Sequence, residues 1–186
     1  RPAPIDSRAS DVYYVCFTPD ARCLATAGKD AVVRFYDAAT YKPKGELATG
    51  QREVNGIAFA PDGQTLATTG DDGTVRLWEF STHRQIHALS AHEGQAYQAV
   101  FTPDGRRLIT CGNDSAIRSW DPITGKLVAT LEGHQRAVEA IALSPDGRLL
   151  ASASSDSTAR LWDLETRTAR FVLKRYTSRL TSIAFS

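Results

Sequence analysis

Two adjacent carboxylates, Asp71 and Asp72, sit in a glycine-flanked stretch that reads LATTGDDGTVRLWE over residues 66–79. A carboxylate pair can move protons, hold a divalent cation or attack a phosphoryl group. The stretch even ends like the phosphatase motif D-x-D-G-T, but that chemistry needs a nucleophilic aspartate where the chain has Gly70. Histidine, hydroxyl and aspartate residues also recur in an order that could compose a hydrolase triad. A triad needs one exposed nucleophile. Here the constellation recurs along the chain and loses its histidine in two copies, which points to architecture instead.

The elements that must position these groups follow from an internal repeat. Pro-Asp occurs at Pro19-Asp20, Pro61-Asp62, Pro103-Asp104 and Pro145-Asp146, each step being 42 residues. An aromatic keeps the same phase at Tyr36, Trp78, Trp120 and Trp162, as does a turn aspartate at Asp30, Asp72, Asp114 and Asp156. A hydroxyl residue precedes each aspartate by four places: Thr26, Thr68, Thr110 and Ser152. The opening carboxylate pair is thus one instance of a repeat.

Each unit reads as four strands. Val54–Ala60 and Val138–Ser144 are first strands, ended by a Pro-Asp-Gly turn. Thr65–Gly70 and Leu149–Ser154 are second strands, and Val75–Phe80 and Ala159–Leu164 third strands. Asp72-Gly73 marks the hairpin between them. Fourth strands are weaker, at Gln85–Leu89, Lys126–Leu131 and Ala169–Leu173. No stretch keeps a helical period over ten residues. A sheet this small has two apolar faces and cannot bury either alone, so neighbouring sheets must stack about an axis. The expected fold is all-β: a β-propeller segment of four four-stranded antiparallel blades plus the first strand of a fifth. The corresponding spans are 1–10 for the end of a preceding repeat, 11–50, 51–92, 93–134 and 135–175 for the blades, and 176–186 for the start of the fifth.

Gly133-His134, Pro145-Asp146-Gly147 and Trp162-Asp163 in one copy, and His92, Pro103-Asp104-Gly105 and Trp120-Asp121 in another, resemble the WD40 repeat family. The resemblance runs from about residue 11 to the end. The dipeptide departs from the pattern as Tyr36-Asp37 and Trp78-Glu79, and the His position is Arg8 in the first copy and Gly50 in the second. The resemblance implies a structural tetrad in each full blade: His92, Thr110, Asp114 and Trp120, then His134, Ser152, Asp156 and Trp162. Partial tetrads would be Thr26, Asp30 and Tyr36 in the first blade and Thr68, Asp72 and Trp78 in the second. On this scheme Asp72 faces inward and Asp71 stands on the rim, available for contact.

The resemblance also implies a non-enzymatic scaffold that binds a protein or peptide on its loop face. Carried over position by position, the candidate partner-binding residues are Asp11, Tyr13 and Lys29, then Glu53, Asn55 and Asp71. They continue with Gln95, Tyr97 and Asn113, then Ala137, Glu139 and Ser155, with Arg179 and Thr181 opening the next blade. Tyrosines are frequent interface anchors, and Asp11, Glu53, Asp71 and Glu139 lean toward a partner with Lys or Arg. An enzymatic propeller would need His and carboxylates clustered at strand starts facing the axis, and these positions supply scattered polar residues.

The remaining features narrow the reading. Twenty-two Lys plus Arg against 21 Asp plus Glu leave a net charge of +1, with no basic footprint for nucleic acid or an anionic membrane. No apolar run reaches the roughly 20 residues that span a bilayer. Cys16, Cys23 and Cys111 form no C-x-x-C pair, and Cys16 and Cys111 align with small core residues. His83 and His87 fit no metal-ligand spacing. No cofactor is implied, no phosphate loop or kinase motif is present, and a cytoplasmic location is expected. The regular repeats are similar to bacterial WD40 arrays, which are often joined to kinase or other signalling domains. Both ends fall inside a repeat, which suggests a piece of a larger ring of at least seven blades whose uncovered end faces would self-associate. A self-associating structural module is the alternative function.

Overall fold

A computed structural model describes residues 11–174 and 176–185. The preceding-repeat segment 1–10, Arg8 included, lies outside the described residues. Among the described residues, sixteen strands form four separate four-stranded antiparallel sheets, each in simple sequence order. The first holds β1 (Val12–Phe17), β2 (Cys23–Gly28), β3 (Val32–Asp37) and β4 (Pro43–Ala48). The second holds β5 (Val54–Phe59), β6 (Thr65–Gly70), β7 (Thr74–Glu79) and β8 (Arg84–Ser90). The third holds β9 (Ala96–Phe101), β10 (Leu108–Gly112), β11 (Ile117–Trp120) and β12 (Leu127–Leu131). The fourth holds β13 (Val138–Leu143), β14 (Leu149–Ser154), β15 (Ala159–Asp163) and β16 (Thr168–Leu173).

The turns that separate the strands repeat as faithfully as the strands. Left-handed backbone recurs at Ala31, Gly73, Ser115 and Ser157 in the hairpin after the turn aspartate. Gly73 shows why this hairpin is tight: a Cβ there would lie 2.4 Å from the His92 carbonyl oxygen, so only glycine lets the next loop cross so closely. The Pro-Asp-Gly turn is held from within. Thr18, Thr102 and Ser144 each donate a hydroxyl hydrogen bond, at 2.6 Å, to the aspartate two residues on.

The apolar core lies in the seams between sheets. Ala25, Val33, Phe35 and Leu47 of the first sheet meet Val54, Ile57, Leu66 and Trp78 of the second. Val75, Leu77 and Leu89 then meet Ala99, Leu108 and Trp120 of the third. Ile109, Ile117 and Leu131 meet Ile141, Leu150 and Trp162 of the fourth. The inner strands β1, β5, β9 and β13 lie side by side in that order. Residues 176–185 run on beside the fourth sheet, where Leu180 N–H donates to the Ser154 carbonyl at 3.1 Å. They occupy the place of a next opening strand, with no further strand to pair with among the described residues.

The first inner strand shows what a seam contributes. Val12 and Val15 are 54% and 56% exposed, whereas Val54 and Ile57, one repeat later, are 0% and 2%. Cys16 is only partly buried for the same reason, while Cys111 is fully buried. Ile141→Ala should therefore cost about 2–5 kcal/mol, and Val15→Ala at the equivalent place under about 0.5 kcal/mol. Urea denaturation of both variants checks this, and equal losses would contradict a core built between blades.

Candidate functional site

In the third and fourth sheets a chain of side chains runs from the core to the loop face. Trp120 Nε1–H donates to Thr110 Oγ1 at 3.0 Å, and His92 Nε2 lies 2.9 Å from the same hydroxyl. His92 Nδ1 lies 2.8 Å from Asp114 Oδ1. In the fourth sheet Trp162 donates to Ser152 at 2.8 Å, His134 Nε2 lies 2.7 Å from Ser152, and His134 Nδ1 lies 2.8 Å from Asp156. Direction follows from chemistry. Indole N–H can only donate, so the hydroxyl accepts from it and gives its own proton to Nε2. Nδ1 then carries the imidazole proton and donates it to the carboxylate.

Position makes this possible. The hydroxyl and the tryptophan are near neighbours on paired strands, Thr110 opposite Arg118 and Leu108 opposite Trp120. The histidine arrives on the loop before the inner strand, and Gly112 leaves room for it: a Cβ at Gly112 would lie 2.8 Å from His92 Cγ. Both imidazoles are fully enclosed. Burial pushes their pKa values down, and the facing carboxylates offset this only in part. Burial alone would raise Asp156, but bonds from Thr158, the Gln135 N–H and His134 outweigh it and hold the carboxyl far below the usual range. Asp114 is likewise lowered, burial being outweighed by His92, Arg118 and the Glu93 N–H.

The second sheet corrects the sequence expectation. Gly50 stands at the aligned His position, but the working residue is its neighbour Gln51. Thr68 donates to Gln51 Oε1 at 2.7 Å, and Trp78 donates to Thr68 at 3.0 Å. Gln51 Nε2 donates to Thr74 Oγ1 at 3.1 Å, and Thr74 donates to Asp72 at 2.7 Å. Glutamine has one accepting and one donating end, as neutral imidazole does, and the Thr74 hydroxyl bridges the remaining gap. The signal was in the sequence: Gly50-Gln51 parallels Gly133-His134. In the first sheet no hydrogen bond joins Thr26 to Tyr36 among the described residues, and Asp30 is held by Arg34 at 2.7 Å.

Arg34, Arg76, Arg118 and Arg160 form another register that sequence reasoning missed, four residues after each turn aspartate. Three of them face that aspartate, at 2.7, 3.8 and 2.6 Å. Arg160 instead lies over the Trp162 ring, 5.7 Å from its centroid, while Asp156 accepts from Thr158 at 2.6 Å.

The rim differs from expectation at the opening pair. Asp71 is the more enclosed, its side chain 7% exposed, and Asp72 the less, at 29%. Asp71 pairs with Arg52 at 3.2 Å and accepts from Gln95. Its side chain is tied into the seam, and the missing histidine leaves Asp72 nearer solvent. The other candidates lie along the same face. Tyr13 O–H donates to Glu53 at 3.1 Å, Tyr97 O–H to Asn113 at 3.3 Å, and Ser155 to Glu139. Lys29 pairs with Asp11 at 3.8 Å. Asn55 donates to the Ala96 carbonyl at 3.0 Å and so joins two inner strands. Ala137 contributes its carbonyl, which accepts from Ser155 N–H and the Ser154 hydroxyl. Arg179 and Thr181 are exposed. Desolvation and nearby acidic groups raise both tyrosines: Glu53, Asp11 and Asp71 act on Tyr13, Glu139 and Asp71 on Tyr97.

Among the described residues no three His, Cys, Asp or Glu side chains gather as metal ligands. Burial pushes the Cys16 thiol up to about 12 and raises Cys23 and Cys111 as well, which leaves no thiolate nucleophile near neutral pH.

Stacked four-stranded sheets, the second to fourth pinned by a tryptophan–hydroxyl–histidine chain or its glutamine substitute, define a partial β-propeller. The family model of the WD domain, G-beta repeat, matches residues 5–37, 42–79, 83–121 and 125–163, and the chain belongs to the WD40 family. Each match ends at the Trp-Asp position, so the sequence repeat is offset by one strand from the sheet: 42–79 takes in β4 through β7. Among curated proteins no match is found.

Two outcomes follow for the relay. Asp156→Ala strands His134 Nδ1–H and the Gln135 N–H and should cost about 2–3 kcal/mol. Asp72→Ala removes hydrogen bonds from Thr74 and a longer ion pair with Arg76, strands no histidine, and should cost about 1 kcal/mol; equal losses in chemical denaturation would refute the relay. The pH dependence has one sign throughout. Both imidazoles have lowered folded pKa values, so the unfolded chain takes up protons first and stability falls as pH drops below about 6.5. The lowered carboxyls add a second loss below about pH 4. A His92→Gln/His134→Gln variant, which copies the glutamine solution of the second sheet, should lose the first step and keep the second in urea midpoints measured from pH 8 to pH 3.

Proposed function

We propose that this chain is a protein- or peptide-binding scaffold whose contact surface is the loop face carrying the turn aspartates. WD40 repeats generally serve as non-enzymatic interaction platforms, which sets the class. The single observation that carries the finer reading is the polar string along one face, from Tyr13–Glu53 through Asp71–Gln95 and Tyr97–Asn113 to Glu139–Ser155. Side chains that hold one another need less ordering on binding, which lowers the entropic cost of an interface. Asp11, Glu53 and Glu139 stand beside the two tyrosines, a setting suited to a partner that presents Lys or Arg beside an apolar group.

A second reading, self-association, is favoured by the exposed apolar side chains on the outward faces of the first and last sheets. Val12, Val15 and Phe17 are 54–58% exposed, and Phe171 and Leu173 are 58% and 42% exposed. The two readings separate in one experiment. Wild type, Tyr97→Ala and Glu53→Lys/Glu139→Lys are compared by affinity capture and analytical sedimentation. The scaffold reading expects captured partners to be lost, with affinity down about tenfold or more per variant, and sedimentation unchanged. Partners retained by both variants would overturn the loop face as the site. A monomer at every concentration would remove self-association.

A further inference from the structure

A cavity of about 890 Å³ opens between the third and fourth sheets, on the side of the Pro-Asp-Gly turns and so at the opposite end of the blades from the tyrosine rim. Its origin is a local failure of the repeat. The cross-strand pair that faces the following blade is Phe35–Gly45 in the first sheet and Leu77–His87 in the second. In the third sheet it is Ser119–Ala129, the smallest of the series. The first seam is plugged at this level by aromatic rings, Phe35 against Phe80 at 5.2 Å and against His83 at 5.4 Å. The second is closed by His87, whose Nε2 lies 2.9 Å from the Ile123 carbonyl. In the third, small side chains leave the space empty, with Val128, Leu149 and Leu164 as apolar walls.

The charges at the mouth are unequal in availability. Four carboxylates and four guanidiniums line the cavity. Asp104 and Asp146 accept from the hydroxyl and backbone of their own turns. Asp163 accepts from the Glu165 and Thr166 N–H groups and pairs with Arg170 at 2.8 Å. Arg107, Arg148 and Arg167 have no carboxylate within ion-pair distance among the described residues, so their guanidiniums can turn to a ligand while three of the four acids stay held by their own turns or by Arg170. The size is that of a ligand site, in the range of roughly 300–1,000 Å³, and free guanidiniums favour carboxylate by paired hydrogen bonds.

We infer that this cleft is a second docking site, which takes a peptide segment with a bulky apolar side chain flanked by aspartate or glutamate. The apolar side chain fills the room left by Ser119 and Ala129, and the acidic groups meet Arg107, Arg148 and Arg167. Its preference is therefore opposite in charge to that of the loop face, so one scaffold can hold two unlike segments at once.

The probe is a phage-displayed library of random twelve-residue peptides selected on the 186-residue chain. Selected peptides are then measured against three variants. Ser119→Leu/Ala129→His installs the pair the second blade already accommodates, and Arg148→Glu/Arg167→Glu reverses exposed charges without touching the core. Tyr97→Ala tests the other face. The expected result is enrichment of leucine or aromatic residues beside acids, with binding weakened about tenfold or more by the first two variants and unchanged by Tyr97→Ala. The proposal is overturned if no such peptides are enriched, if they bind the filled and charge-reversed variants as tightly as wild type, or if Tyr97→Ala abolishes their binding. Far-UV circular dichroism and a thermal melt of the filled variant show that any loss is not unfolding.

Discussion

Every sheet in this chain has two apolar faces, and each face is buried only by the sheet beside it. A four-stranded sheet in water cannot retire both faces, so its stability depends on neighbours in series. The three core clusters lie across the three seams and none lies within a sheet. The tryptophans fasten the two levels together. Trp78, Trp120 and Trp162 place their rings in the seam with the preceding sheet while their N–H groups bind hydroxyls of their own sheet. Intrablade hydrogen bonding and interblade burial therefore share one side chain, and a blade that loses its relay also loosens its seam.

The relay tolerates change in its middle and much less at its ends. Its first member must be a donor set in a dry seam and its last an acceptor near the loop, since an unpaired member would leave a buried polar group without a partner. Between them any group that accepts at one end and donates at the other will serve. His92 and His134 do so with a ring, Gln51 with an amide assisted by Thr74. Among the described residues the first sheet shows no such relay, and its turn aspartate is held by Arg34 and the Val32 N–H. The arginine register explains how this is tolerated: a second partner for the aspartate was already in place four residues on.

The fold was legible because its period is written in residues with hard stereochemical demands. Pro-Asp-Gly turns, left-handed hairpin residues and in-phase tryptophans locate strand ends to within a residue or two, so Thr65–Gly70 and Leu149–Ser154 were read without error in their bounds. The third and fourth tetrads were legible for the same reason. The second was read only in part, as Thr68, Asp72 and Trp78, because alignment by period alone places Gly50 where the chemistry sits at Gln51, one residue along the loop. Asp71 and Asp72 were exchanged in exposure because inward or outward facing was taken from the tetrad scheme that the resemblance implies. In the structure it is decided by which partners reach the carboxylates, Arg52 and Gln95 for Asp71 and Thr74 for Asp72. The arginine register and the Ser119–Ala129 gap were in the sequence too, but they become meaningful only when the blades are compared in three dimensions.

Divergence between otherwise equivalent repeats is where this architecture can acquire specificity. Positions that close seams and turns are nearly fixed, because each is packed on both sides. Positions on the loop rim are packed on one side only, and at the turn-side mouth of a seam the filling varies from the buried Phe35 and Leu77 to the small Ser119. The rim slots hold Tyr13, Asn55, Tyr97 and Glu139 at one level; the seam slots hold Phe35, Leu77, Ser119 and Leu161 at another. A change at the rim alters charge and hydrogen bonding at little cost to the core. A change at the seam mouth alters volume, and its cost depends on how far the neighbours can close in. The small pair at Ser119 and Ala129 sits beside a seam that stays shut further in through Ile109, Ile117 and Ile141, all at most 1% exposed. The inner part of the seam holds the blades together, and that is what leaves the outer part free to stay open.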